Sequence, residues 1–571
     1  MSLYSEQGSA AANMTRPTTT LLTNGRIFSS APGDERLHQA IVVQGGKVVF
    51  VGEEKQARTH VAEDAPTQTV DLNGSVVLPG LIDAHTHLIM FGASLAKVDC
   101  LGKTVEEIQQ ALLEARRASP DAKMILARSF LFDALGQKPH KSLLDAVIPD
   151  IPVFIDSADL HSCWANSAGL KAVGVNESTE NPKGGEFVKD EQGLTGLCLE
   201  TAVTEYIWAF IAKHTTLEER LAHLDRVFEE YLATGVTGVV DMAMTAEDLE
   251  ALEVYYRRHQ KLPIRVACQW LVRPEGTDDS RAEQVREAAA HRQRLSSCAP
   301  WLGISGIKII SDGVVDSCTA YLTRPYADGT LPGPIWPADE LTKVVVLADS
   351  LDLQVAVHAI GDAASEQALD AFESAVNANG PRPARRHRIE HLEVVTKESI
   401  ARLTHLGVIA SLQPVHADPV YVPNWRLMLG EDERCDRAFP WTEYVDAGSH
   451  VAFGSDAPTA PHHCFPNLYT ATTRRSAINP KLPPSTDPRL IQLERFSLKL
   501  STAIRFYTAG SAYSTRGEKT YGTLEPGKRA DFCVLSIDPF AQGLETLREA
   551  QQAVTQTWIG GERVWTRPHG E

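Results

Sequence analysis

The chain has 571 residues, 43% of them hydrophobic and 22% charged, the balance of a soluble globular protein. Its 55 Lys and Arg against 73 Asp and Glu give a net charge of −18, which argues against nucleic acid or an anionic membrane surface as a partner. No apolar run approaches the roughly 20 residues of a membrane span, and nine scattered cysteines without a C-x-x-C pair suit a reduced, cytoplasmic compartment.

Residues 1–18 are polar, rich in Ser, Ala and Thr, and lack the apolar stretch of a secretory signal, so they read as a disordered tail. Short apolar runs follow at Thr20–Leu22, Ala40–Val43 and Lys47–Val51, separated by Gly-containing turns. The same pattern returns at Ala530–Leu535 and Val554–Trp558. Two β-rich ends around a long α/β middle predict one small β-sandwich built from 19–78 and 515–569.

The middle alternates strands and helices. Eight strands are predicted: Val77–His87, Thr237–Met244, Ile264–Trp270, Gly306–Gly313, Gln354–Asp362, His387–Glu393, Gly407–Val415 and His450–Pro458. Capping-box starts mark the intervening helices at Thr216-x-x-Glu219 and Ser280-x-x-Glu283. Eight βα units predict an α/β fold, a (β/α)8 TIM-type barrel spanning 79–97 and 211–514. The gap of about 150 residues between strands one and two far exceeds what a βα connection needs. Residues 98–210, with their own helix Thr104–Arg117 and strands Met124–Phe130 and Val153–Ser157, read as an insertion after strand one. Such an insertion lies over the C-terminal face, where barrel active sites sit.

The chemistry gathers at the strand ends. In Pro79-Gly-Leu-Ile-Asp-Ala-His85-Thr-His87, alternate residues of a strand face the same way, so His85 and His87 both face the interior. Alone they are as well explained as two unrelated barrel histidines. His358, His391 and Asp456 fall near the ends of strands five, six and eight. Several polar groups in register are costly to bury unpaired, and a shared metal accounts for them together, with imidazole and carboxylate as suitable ligands. Lys308 on strand four is either paired with Asp312 or Asp316, or deprotonated by burial and able to add carbon dioxide as a bridging carbamate.

These positions together resemble the binuclear amidohydrolase superfamily, and more closely its amidohydrolase-3 branch, which includes N-substituted formamide deformylases. Asp159-Leu-His-Ser-Cys-Trp-Ala-Asn-Ser167 looks like that branch's inserted motif, and Lys308 followed by Ser311-Asp-Gly313 like its strand-four pattern. Gly522-Thr-Leu-Glu-Pro-Gly-Lys-Arg-Ala-Asp531 is similar to the superfamily's C-terminal segment. The resemblance implies that His85, His87 and Asp456 bind a more buried metal, that His358 and His391 bind a second, and that carbamylated Lys308 bridges them. It implies a divalent metal, zinc first, at one or two per chain. It also implies a shared water made nucleophilic, attack on a C–N substrate (amide, formamide or related), and Asp456 as proton shuttle. His161 and Glu200 would face the substrate.

Other candidates have plainer readings. His462-His463 either touches substrate or forms a solvated loop pair. Arg434 and Arg437 either meet an anionic substrate or make surface pairs, and Trp164, Trp208 and Trp270 either line a pocket or belong to the core. A mononuclear deaminase on the same barrel is disfavoured, because no Glu follows His358 at the third place and Lys308 has no role there. A non-catalytic scaffold is disfavoured because all six expected positions are filled. The expected partner is a small-molecule substrate, with no nucleic acid or membrane, and a homodimer as the default assembly.

Overall fold

The computed structural model describes residues 19–61, 66–132, 134–157, 162–182, 185–382, 384–430, 432–479, 481–482 and 493–568. Eight parallel strands form its centre: Leu81–Thr86, Val236–Met244, Arg265–Leu271, Leu302–Ile310, Gln354–Ala359, Arg388–His391, Ile409–Leu412 and His450–Phe453. They pair in chain order. The ring closes between strands eight and one, where the Asp456 amide donates to the His85 carbonyl (2.7 Å) and the His87 amide to that of Ala457 (2.9 Å). Gly454 permits this closure: a Cβ there would lie 2.4 Å from the His85 nitrogen.

β-Branched and aliphatic side chains on one face of each strand, such as Ile307, Ile309, Val355 and Val357, are buried against the surrounding helices. Each large side chain fully buried in this way contributes about 1.5–3 kcal/mol. The opposite face holds a small apolar layer of Ala84, Val240, Met242, Ala356, Ile409 and Ala452. Above it the strands turn polar.

The expected helix starts hold with one correction. Thr216 caps Leu217–Ala233 and Thr104 caps Val105–Ala118, each reciprocally with Glu at the third position. The helix predicted to open at Ser280 begins three residues earlier, with the Thr277 hydroxyl capping the Ser280 amide and the Ser280 hydroxyl accepting from the Thr277 amide in return. Asp278 and Asp279 fill its first turn, where carboxylates favour the positive end of the helix dipole.

The inserted stretch has its own six-stranded mixed sheet, Val98–Asp99 through Gly193–Glu200. Its separate core includes Ile108, Leu112, Phe130, Val153 and Trp164. At the chain ends, Thr19–Thr23, Ala40–Gln44, Lys47–Gly52 and Thr67–Asp71 make one sheet. A second sheet interleaves both termini: Val76–Pro79 lies antiparallel to Phe532–Leu535, which pairs with Val554–Ile559. The two sheets share a core of Leu22, Ile27, Ile41, Val77, Phe532, Val534 and Trp558. The fold is therefore the expected (β/α)8 barrel with a β domain from both termini and an insertion after strand one. No helix among the described residues is long and apolar enough to cross a membrane.

Candidate metal centre

The observed strands end sooner than the sequence pattern suggests, and the polar residues lie at or just past their ends. Strand eight stops at Phe453 and strand five at Ala359. Asp456 then sits in a left-handed conformation (φ 62°), as does His391 (φ 78°). Non-glycine residues held this way cost of order 1–3 kcal/mol each and cluster at functional sites. Here the turns aim both side chains at the barrel axis.

Asp456 is the hub. Its Oδ1 lies 3.3 Å from His85 Nε2 and 3.2 Å from His87 Nε2, yet no contact there has hydrogen-bond geometry. Its Oδ2 lies 3.5 Å from Nε2 of His416. Two sets of donors, His85–His87–Asp456 and His391–His416–Asp456, each have ligand atoms within 4.8 Å of one another. The His391 ring sits 4.8 Å from that of His85, 4.4 Å from His358 and 5.6 Å from His416, parallel to the last. Its Nδ1 is buried without a hydrogen-bond partner. Buried polar atoms converging unsatisfied are what a dication resolves, so the residues fit a divalent metal.

The outer contacts fix each ring. His85 Nδ1 meets Glu390 at 2.7 Å, and Arg388 holds that carboxylate through Nε (2.6 Å) and Nη2 (3.0 Å). His87 Nδ1 donates to the Met242 carbonyl (2.6 Å), leaving Nε2 for a metal. His416 Nδ1 meets Glu393 at 2.8 Å. Asp83 locks the first and last strands together, accepting from the Ser455 amide (2.9 Å) and hydroxyl (2.5 Å) and from the His85 amide (3.2 Å).

Charge follows this geometry. Burial pushes the Asp456 carboxyl up, but the surrounding imidazoles, His85 first, outweigh it and hold it well below the usual range. Burial, with Lys308 nearby, drives His358 down to about 3, and burial drives His391 well below its ordinary value. Both are thus neutral imidazoles, the form that binds metals. His87 and His416 are depressed by burial but raised overall by Asp456 and Glu393 respectively. Lys308, 2% exposed, is lowered by burial to about 8 against the pull of Glu390 and Asp456.

Of the sequence-predicted residues, the structure brings His85, His87 and Asp456 together in one donor set and His391 with Asp456 in the other, while Lys308 and His358 belong to neither. His358 Nε2 lies 3.1 Å from the Gly313 carbonyl and 3.4 Å from Asp312. The ion-pair reading of Lys308 fails. Asp312 accepts three backbone amides, from Tyr321, Ile360 and Gly361, and Asp316 accepts from Asn424. Glu200 ends the inserted sheet, half-buried, outside the donor sets around Asp456; His161 lies outside the described residues.

The remaining alternatives resolve towards structure. Arg434 binds Asp432 and the carbonyls of Arg324, Pro325 and Leu429, and Arg437 binds Glu443 and the Val395 carbonyl. Trp164 and Trp270 are core residues, and Trp208 donates to Asp156. His462 is buried against Phe91, so the pair is not a solvated loop tip. Sequence reasoning missed His416 and Glu393. The available signal was Gln413-Pro-Val-His416, one residue beyond the predicted end of strand seven.

The amidohydrolase family model matches residues 68–565. The chain belongs to the amidohydrolase family. It is 30% identical to Protein LONG AFTER FAR-RED 3 of Arabidopsis thaliana, over 95% of this chain and 91% of the relative. It is 26% identical to the N-substituted formamide deformylase of Arthrobacter pascens, over 92% and 94%. Among solved structures, an uncharacterized metal-dependent hydrolase from Pyrococcus horikoshii superposes with a TM-score of 0.74 at 27% identity, covering 92% of this chain and 99% of that one. An adenosine deaminase from Xanthomonas campestris with bound zinc (TM-score 0.54, 17% identity, 95% of this chain and 92% of that one) shares the fold. Family and donor set together make the protein a metal-dependent hydrolase with a divalent metal.

Proposed function

We propose that the protein hydrolyses a carbon–nitrogen bond of an amide, formamide or related small molecule, with zinc held at the barrel mouth. The observation that carries this is Asp456, whose two carboxylate oxygens face His85 and His87 on one side and His416 on the other. The resemblance to an N-substituted formamide deformylase over nearly the full chain supports the C–N substrate class.

His85, His87, His358, His391, Asp456 and Lys308 would hold the metal. When bound, it supplies Lewis acidity towards the scissile carbonyl and lowers the pKa of water. Lys308, brought to about 8 by burial, presents a substantial fraction of neutral amine near pH 8. That amine attacks carbon dioxide, forming an N–C bond and releasing one proton, and becomes an anionic carbamate with two ligand oxygens.

Asp456 removes the proton of the attacking water and delivers it to the departing nitrogen. The water's second proton stays on the new carboxyl group and is released as that acid ionises; His416 Nε2, 3.5 Å from Asp456 Oδ2 with Glu393 behind Nδ1, carries it out of the centre. Proton transfer by positioned groups contributes about 10²–10⁴-fold. Glu200 and His161 are assigned to the substrate side, on the inserted segment.

Elemental analysis of purified wild-type protein beside Lys308→Ala tests the reading, together with turnover of an amide and formamide panel. About two metals per wild-type chain, a sharp fall in the variant and release of amine support it. About one metal unaffected by the variant, with ammonia released from aminated heterocycles instead, replaces it with a mononuclear deaminase.

A further inference from the structure

A second group of metal-type donors lies away from this centre. Glu230 is on the helix Leu217–Ala233, and His462 and His463 precede the helix Cys464–Thr473 on the segment that leaves Asp456. One ligand atom from each lies within 4.8 Å of the other two. His462 Nε2 is 2.9 Å from Glu230 Oε1, and the two imidazoles lie tilted by 36° with centroids 4.0 Å apart. Phe91 and Tyr231 wall the His462 ring at 4.6 and 6.2 Å, fixing it in place. The Glu230 side chain is 34% exposed, so water can complete a coordination shell from one side.

We propose that Glu230, His462 and His463 form a further binding site for a divalent transition-metal ion, distinct from the barrel-mouth centre. Two imidazoles and one carboxylate, with an open fourth position, form a donor set that suits zinc, and imidazole also suits nickel and copper. The proton now shared between His462 and Glu230 is the one such an ion displaces. The protonation states already suit it. Burial lowers His463 to about 3, so its ring is neutral, and the hydrogen bond from His462 holds Glu230 below the ordinary carboxylate range. A bound ion would tie the segment leaving Asp456 to the helix that leads into strand two, clamping the barrel from outside.

Cobalt(II) is the probe, because its visible absorption reports coordination without turnover. Wild type and His463→Ala are prepared as holoenzyme with the central site filled, then titrated with cobalt(II) and followed by absorption and by calorimetry. Wild type is expected to take up one further equivalent with a tetrahedral or five-coordinate spectrum, and to melt higher when loaded. His463→Ala and Glu230→Gln are each expected to lose that equivalent while keeping central metal content and amide turnover. Equal uptake by wild type and both variants overturns the proposal, as does uptake lost only on Asp456→Asn. An unfolded His463→Ala transfers the decision to Glu230→Gln, which keeps the side chain's shape. Because the readout is metal uptake, an inactive wild type that still takes up the extra equivalent separates failure of the hydrolase reading from failure of this one.

Discussion

The two donor clusters use the same residue types but are built differently. At the barrel mouth, three rings that face Asp456 have their far nitrogen engaged: His85 by Glu390, His87 by the Met242 carbonyl and His416 by Glu393. Glu390 is itself clasped by Arg388, in which no atom is exposed. At the flank, His462 spends its Nε2 on Glu230. Among the described residues no contact ties the other nitrogen of His462 or His463 to a carboxylate. Outer contacts of this kind orient ligands and raise their basicity, and losing one typically costs about 10- to 100-fold in metal affinity or activity. The lesson is that the mouth is preorganised, at the expense of left-handed backbone at His391 and Asp456, whereas the flank is a pair of rings beside a half-exposed carboxylate.

The largest effect expected is at the hub. Asp456→Asn removes the charge that both halves of the centre share, and turnover should fall by about 10²–10⁴-fold with loss of bound metal. Steady-state kinetics and elemental analysis check it, and an asparagine variant that keeps full turnover contradicts the shuttle role.

Next comes the outer shell. Glu390→Gln keeps the shape but leaves Arg388 without its counter-charge. Breaking a buried ion pair is strongly destabilising, of order 3–5 kcal/mol, so the melting temperature should fall alongside a roughly 10- to 100-fold weaker metal affinity. If competition with a chelator shows unchanged affinity, the mouth is no better organised than the flank.

Glu393→Gln is milder. It loosens the His416 ring without touching the His85, His87 or Lys308 positions, so metal content should stay constant while kcat drops about tenfold. Loss of metal instead would make His416 a ligand and not a proton path.

The smallest effect sharpens the contrast from the other side. Glu230→Gln should leave kcat and KM within about twofold, since surface changes away from the site rarely exceed ±0.5 kcal/mol. A larger loss would mean that the two clusters are coupled through the segment from Asp456 to His462.

Much of this protein was legible along the chain because the signals are local. Alternating strand-like and helical stretches marked eight strands whose order and direction match the barrel, and His85-x-His87, Lys308, His358, His391 and Asp456 lie near or just past their ends. The inserted segment announced itself by length alone, and the paired β-rich termini by composition. Thr277, not Ser280, caps its helix because two successive Thr/Ser starts three residues apart look alike until one of them bonds.

What tertiary structure decided is pairing across the ring. His85 and Glu390 are 305 residues apart, and no spacing rule joins them; only closure of strand eight onto strand one, through Gly454 and Asp83, brings them together. His416 lies just past a predicted strand end. It counts as a site residue only because a left-handed turn points Asp456 at it and Glu393 stands behind it. Sequence fixes which residues can bind a metal, since that follows from side-chain chemistry. Which of them share one depends on angles at strand ends, and those are set by the packed barrel.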